Sequence, residues 1–335
     1  MIRRATASGQ AVAPDNRGAV HARSETACRA PDTSARGHFH DGLRSIEQRS
    51  EAAPLLRVMD INKVFATPEG DISVLENISF DVMSGEFISV IGPSGCGKTT
   101  LFNIVGGLAD DFEGQVVLDG VVATARRHSI GMVFQDESSF PWRTAIDNVA
   151  FPLEVAGMSR RERRERARHF IHLVGLDGFE HRYPAELSGG MRQRIVLART
   201  LAFEPKILLM DEPFAALDSQ TRLLLGDKIL QIQRELDQTS LLITHNLTEA
   251  VQLSDRVVVM TYRPGRVKRI VDIDLPRPRS SEIVGSEHFG HLVGSIWDDL
   301  REEASRGMSD PQVQLANPGG TENGAPGAGE YSKTL

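Results

Sequence analysis

The hydrophobic positions of this chain fall into runs of two kinds. FISVI at 87–91 and the apolar part of KILLMDE at 206–212 are short, predominantly apolar runs, the pattern of strands buried on both faces. Other runs repeat at helical spacing. SRRERRERARHFIHLVGL, opening at Ser159, carries Ala167, Phe170, Ile171 and Val174 on one side, with Ser159 and Glu162 spaced as a capping box. RQRIVLARTLA, from Arg192, reads as a helix led in by Ser188, Gly189 and Gly190. Phe289, Leu292, Val293, Ile296, Trp297 and Leu300 mark one further amphipathic helix, with Asp298, Asp299, Arg301 and Glu302 around them. The first fifty or so residues show no period; they are rich in Arg, Ala, Ser, Gly and Pro and are expected to be disordered. GGTENGAPGAGEYSKTL at the other end reads as a flexible tail.

Composition narrows the class. With 335 residues and 40% hydrophobic content the chain can bury a large core, yet no apolar run approaches the length needed to span a bilayer. Cys28 and Cys96 offer no disulfide framework, and a thiol among phosphate-loop glycines suits a reducing compartment. The net charge of −7 argues against general nucleic-acid binding. The N-terminal stretch lacks an apolar core for a secretory signal, and Asp15, Glu25 and Asp32 argue against a transit peptide.

Chemistry enters with GPSGCGKT at 92–99, which follows the FISVI strand and fits G-x-x-x-x-G-K-[ST]. Such a loop turns backbone N–H groups inward around phosphate oxygens, at the positive end of the next helix. Gly92, Pro93, Ser94, Gly95, Cys96 and Gly97 form the cradle, Lys98 reaches the terminal phosphates, and Thr99 is the first expected ligand of Mg²⁺. Thr100 follows as the helix starts. Taken alone, the pattern is also compatible with a glycine-rich turn bearing a surface lysine. The second strand run removes that reading, because it ends in two carboxylates. Asp211, at the strand's carboxyl end, is placed to hold the Mg²⁺ hydration shell, and Glu212, pointing the other way, to orient and deprotonate an attacking water.

These residues resemble one family, the ATP-binding-cassette (ABC) ATPases. After the phosphate loop come Gln135 in GMVFQDE, LSGGMRQR at 187–194, ILLMDEP at 207–213, AALD at 215–218 and ITHN at 243–246, in the family's order. The similarity covers about residues 55–275. It implies an α/β fold: a P-loop NTPase (RecA-like) core with an antiparallel β subdomain and an inserted α-helical signature subdomain at about 138–187. The cassette is expected over 54–276, between an N-terminal extension (1–53) and a C-terminal amphipathic helical extension (277–306) with its tail (307–335). The family packs two cassettes head to tail, so Ser188, Gly189 and Gly190 of one subunit would face the ATP held by the other's phosphate loop. By the same resemblance Gln135 touches Mg²⁺ and the attacking water, His245 contacts the γ-phosphate and Glu212, Asp218 lies at the dimer interface, and Phe65 stacks on adenine. Met191, Thr99 and Asn246 depart from the family's commoner glutamine, serine and aspartate; the last removes a charge beside His245.

SSFPWRTAIDNV at 138–149 resembles the segment that meets a transmembrane partner, with Phe140 and Trp142 either supplying contact area or packing in the core. FPWRTAIDNV, YPAELSGGMRQR, EPFAALDSQTR and YRPGRVKRIVDIDLPRPR together look like the ATPases of bacterial nitrate, sulfonate and taurine importers. That implies a cassette dimer bound to separate permease subunits, served by a periplasmic or extracellular solute-binding protein, peripheral to the cytoplasmic face of the inner membrane. The alternatives are a soluble ABC ATPase acting on nucleic acid or ribosomes, and a regulatory ATP-binding subunit; one phosphate loop, one signature and no heptad run speak against the first.

Overall fold

The computed structural model describes residues 53–68, 70–122, 129–135 and 138–308. Cys28, the terminal extension expected over 1–53 apart from Ala53, and the tail beyond Met308 lie outside the described residues.

Two sheets organise the chain. Strands β1 (Leu56–Thr67), β2 (Gly70–Val82), β4 (Glu113–Leu118) and β5 (Val121–Val122) form an antiparallel sheet in the order β2-β1-β4-β5. The second sheet runs β10-β9-β3-β8-β7-β6, built from β3 (Phe87–Ile91), β6 (Ile130–Val133), β7 (Ile207–Asp211), β8 (Thr239–Ile243), β9 (Arg256–Met260) and β10 (Val267–Asp272). All its pairings are parallel except β9 with β10. The two short apolar runs are therefore central strands, every residue of β3 and β7 being buried. Alternate residues of β3 feed opposite layers, as a period of two requires: Phe87 joins the core beneath the helical segment, while Ile88 and Val90 join the core shared with the antiparallel sheet.

Helices fill the connections. Helix α1 (Lys98–Gly106) follows β3 and buries Leu101, Phe102, Ile104 and Val105 against the antiparallel sheet's side of the core. Between β6 and β7 lie α2 (Ala145–Val149), α3 (Phe151–Val155), α4 (Arg160–Leu173) and α5 (Gly189–Leu201), sharing a core with α6 (Ser219–Leu236). At the start of α4, Ser159 caps the Glu162 N–H and gives its hydroxyl to the Glu162 carboxylate at 2.6 Å. Buried Asn148 holds the segment before α2: its amide donates to the carbonyls of Phe140, Arg143 and Thr144 at 3.0–3.1 Å and its oxygen accepts from the Phe140 N–H. This pinning separates two aromatic residues that look alike in sequence. Phe140 turns inward against Phe151, with ring centroids 4.7 Å apart, whereas Trp142 is 72% exposed.

Helix α7 (Leu247–Leu253) follows β8, and the C-terminal helix α8 (Glu287–Met308) packs Phe289, Ile296 and Leu300 into a third core with α7 and β9. Leu292 and Val293 line that core partly buried, but Trp297 faces outward. Among the described residues no helix is long and apolar enough to cross a membrane.

Candidate functional site

In an open parallel sheet the crevice beyond the carboxyl ends of the strands is where ligands bind. Five strand ends meet there: β3 continues into the phosphate loop, β7 into Glu212, β8 into His245, β6 into Gln135 and β9 into Arg263.

The loop's shape depends on glycine at Gly97. Its φ is 98°, and a Cβ would stand 2.6 Å from Leu75 Cδ2 and 3.2 Å from the Val74 carbonyl oxygen, so the loop closes onto β2 only without a side chain. Helix α1 begins one residue later, directing its N-terminal N–H groups at the loop. Lys98 is buried and its ammonium donates to the carbonyls of Gly92 (2.9 Å) and Pro93 (3.0 Å), spanning the loop it belongs to. The Thr99 hydroxyl donates to the Asp211 carboxylate. Burial pushes the Asp211 carboxyl up from its ordinary range; the Thr99 bond opposes this and Glu212 adds to it.

Glu212 leaves the strand with φ 44°, a left-handed conformation that costs a non-glycine residue about 1 kcal/mol or more and turns its side chain away from Asp211's. Its N–H stays anchored to the Ile243 carbonyl at 2.8 Å. The carboxylate meets His245, Oε2 to Nδ1, at 3.0 Å. Asn246 caps α7 by accepting the Glu249 N–H at 3.1 Å, so the residue that departs from the family's aspartate retains the helix-start role without the charge.

These groups border a cavity of about 490 Å³ lined by Phe65, Ile72, Val74, Ser94, Gly95, Gly97, Lys98, Thr99, Thr100, Glu212 and Arg263. Phe65 is 45% exposed at its rim, with the Lys63 ammonium 4.7 Å from the ring centroid; Lys63 is itself buried and paired with Asp111 at 2.7 Å. Gly92, Pro93 and Cys96 do not line the cavity. The Cys96 side chain is buried in the core, and burial pushes its thiol up. Asp211 and His245 stand one contact back, through Thr99 and Glu212. Gln135 is exposed beyond β6 and lines no part of it.

Ser188, Gly189, Gly190 and Asp218 also lie away from this cavity. Ser188 caps α5, accepting the Met191 N–H at 3.3 Å. Asp218 caps α6, accepting the N–H groups of Thr221 (2.9 Å) and Gln220 (3.1 Å), and these bonds, Thr221's first, hold its carboxyl below the usual range. The two helix starts approach closely: a Cβ on Gly190 would stand 3.0 Å from Thr221 Cγ2. The Asp218 carboxylate already takes two N–H groups of α6, whereas Ser188 takes one of α5, so of the two adjoining helix starts it is α5 whose N–H groups suit a further anion.

A cationic lysine, inward-turned glycines and a helix N-terminus fit a polyphosphate, and the oxygens that the Thr99–Asp211 bond brings together fit a hard divalent cation. The residue that motif reading missed is Arg263. Its Nε donates to the Gly95 carbonyl at 2.8 Å across 168 positions of sequence, and no local pattern announces such a contact.

Residues 75–215 match the family model described as ABC transporter. The chain is 50% identical over 254 residues to an uncharacterised ABC transporter ATP-binding protein of Methanocaldococcus jannaschii, covering 76% of this chain and 95% of that one. It is 42% identical to the nitrate transport protein NasD of Klebsiella oxytoca, over 75% of this chain and 97% of NasD. It is 41% identical to an aliphatic sulfonates import ATP-binding protein, SsuB, of Bacillus cereus, over 70% of this chain and 91% of SsuB. Among solved structures, a dimeric ATP-binding cassette in a post-hydrolysis state, bound to ADP and phosphate, superposes with a TM-score of 0.59 at 32% identity, over 66% of this chain and all of that one.

Proposed function

This chain belongs to the ABC transporter ATP-binding cassettes, a family that hydrolyses ATP, and from that membership we propose that it is the ATP-hydrolysing subunit of an importer, coupling a head-to-tail cassette dimer to uptake of a small anionic or organic solute through separate permease subunits. The observation that carries the reading is the Glu212–His245 contact of 3.0 Å beside the phosphate-loop cavity. The likeness to NasD and SsuB supports nitrate or an aliphatic sulfonate within the nitrate, sulfonate and taurine class of solute that the sequence resemblance implies. The solved cassette dimer supports a pair, here two copies of this chain.

In this reading Lys98 and the backbone from Ser94 to Thr99 hold the polyphosphate, Thr100 adds to the same helix start, and Phe65 offers its exposed face to adenine. Thr99, Gln135 and Asp211 would hold Mg²⁺, which supplies charge neutralisation across the phosphates when bound. Glu212 takes the proton of the attacking water, and His245 fixes its carboxylate and senses the γ-phosphate. Ser188, Gly189 and Gly190 bring the α5 N-terminus to the partner's nucleotide, with Asp218 beside them at the interface. Trp142, exposed on the segment before α2, supplies apolar contact to the permease. The domain limits of 54–276 for the cassette and 277–306 for the C-terminal helical extension belong to the same proposal, as does a peripheral position on the cytoplasmic face of the membrane.

The test is to tag the chain at low expression in its own cell, solubilise membranes gently and identify what co-purifies by mass spectrometry. A multi-spanning permease in stoichiometric amount is expected. Recovery only with ribosomes or nucleic acid would keep the ATPase and overturn the importer.

A further inference from the structure

The loop joining β9 to β10 lies directly on the phosphate loop. A Cβ on Gly265 would stand 2.1 Å from the Cys96 carbonyl oxygen, so only glycine lets the two backbones touch. Gly265 also donates to the Val74 carbonyl and accepts the Glu76 N–H, both at 2.9 Å, which ties the loop to β2. Within it the Thr261 hydroxyl donates to the Pro264 carbonyl at 3.0 Å and accepts the Arg266 N–H at 2.9 Å. Arg263 projects from this rigid turn into the lining of the cavity that holds Lys98, Thr99 and Glu212. Its Nε is spent on the Gly95 carbonyl, while the neighbouring Arg266 is the one that pairs with a carboxylate, that of Glu76. A guanidinium oriented by one of its donors, with the others turned to a cavity built for phosphate, is a preorganised anion ligand.

The same turn is gripped from the other side by α8. The Tyr262 N–H donates to Glu303 Oε2 at 3.0 Å. Glu303 is 2% exposed and also accepts from Lys268 (3.0 Å) and Arg306 (3.4 Å). Gly307 seats the Tyr262 ring, where a Cβ would press on Cε2 at 2.8 Å.

We propose that Arg263 is a nucleotide-binding residue whose terminal N–H groups bind the polyphosphate, and that α8 sets its position through the Glu303–Tyr262 bond. The proposal rests on the reading of this cavity as the ATP site and adds to it one ligand outside the motifs and a route from the C-terminal helix to nucleotide affinity. Arg263 is a binding residue; Glu303 is a positioning residue.

Binding of a fluorescent ATP analogue to the full chain, and its displacement by inorganic tripolyphosphate, tests both parts, with Lys98→Ala as the control for the site. Arg263→Ala should weaken ATP and tripolyphosphate alike by about tenfold, the size of one charge-assisted hydrogen bond, and Arg263→Lys by less. Affinity within twofold of wild type in Arg263→Ala, while Lys98→Ala loses binding, overturns the proposal and leaves the site standing. Loss for ATP but not tripolyphosphate also overturns it, because the contact would then be to base or ribose. Retained binding in Lys98→Ala overturns the site reading and the proposal with it. For α8, Glu303→Gln should weaken ATP by about threefold in the wild-type background and not at all beside Arg263→Ala. Equal losses in both backgrounds refute the route through Arg263. If Glu303→Gln does not fold, Gly307→Ala is read in the same cycle.

Discussion

The phosphate-loop cavity and the start of α5, beside the Asp218-capped start of α6, both present helix N-terminal N–H groups, yet they are finished to different degrees. The first gathers side chains from strand ends across the sheet: Lys98 spans its own loop, Thr99 holds Asp211, Glu212 holds His245 and Arg263 holds Gly95. The second has its capping side chains satisfied locally, Ser188 by Met191 and Asp218 by Thr221, and contributes no side chain to the cavity. A site completed within the chain can bind by itself, whereas the start of α5 presents backbone N–H groups outward, to something brought to it. In the proposed function the contrast gives binding to one region and assembly to the other.

That division can be broken in graded steps. The largest effect is expected from Glu212→Gln, which should lower the hydrolysis rate about 10²–10⁴-fold in single-turnover assays while ATP binding persists. Normal hydrolysis would remove Glu212 as general base. Lys98→Ala should weaken ATP binding about a hundredfold by equilibrium titration, since it deletes the buried cation of the completed site. Ser188→Arg should leave ATP binding by the isolated chain within about twofold, because Ser188 lies off the cavity, yet abolish ATP-dependent dimerisation seen by light scattering. Weakened binding in the monomer would merge the two regions into one site.

The smallest effect concerns stability. Glu249, beneath the His245 segment, is buried and its carboxyl is pushed up to about 6 from 4.5, chiefly by burial, against the Thr244 bond and the charges of Arg222 and His245. The native state therefore holds this proton more tightly than the unfolded chain. Its contribution is fully present below about 4.5 and is lost as pH rises through about 6. Glu249→Gln should stabilise the protein by about 2 kcal/mol at pH 8, following 1.36 kcal/mol per unit, and by nothing near pH 4. A thermal shift that is the same at both pH values would contradict this.

Local pattern carried much of the fold. FISVI and ILLMD are central strands, as short, predominantly apolar runs ahead of turn signals lead one to expect, and parallel pairing places the phosphate loop and Glu212 at the same end of the sheet. What the sequence did not disclose depends on contacts between distant segments. Phe140 and Trp142 are both aromatic and two residues apart, and they differ in burial because Asn148 holds the Phe140 backbone and Phe151 receives the Phe140 ring, contacts made from positions 8 and 11 residues away. Trp297 follows Ile296 by one residue, about 100° around the helix, and lies at the edge of the apolar stripe, half exposed, while Ile296 and Leu300 enter the third core. Asp218 is a helix cap as well as a candidate interface residue, a role set by where α6 begins. Arg263 and Gly265 acquire meaning only when β9 is laid beside β3, which brings their turn onto the phosphate loop.

The central claim, that one chain's phosphate loop works with another's Ser188 segment, is tested most directly by mixing two inactive variants. Lys98→Ala keeps the α5 start intact and Ser188→Arg keeps the phosphate loop intact, so a mixed dimer has one complete composite site. Neither variant should dimerise with itself or hydrolyse ATP alone, so the productive dimers of an equal mixture are mixed ones with one working site of two, and up to about half of the wild-type rate should return. Full activity of Ser188→Arg alone, or no recovery on mixing, would contradict the account.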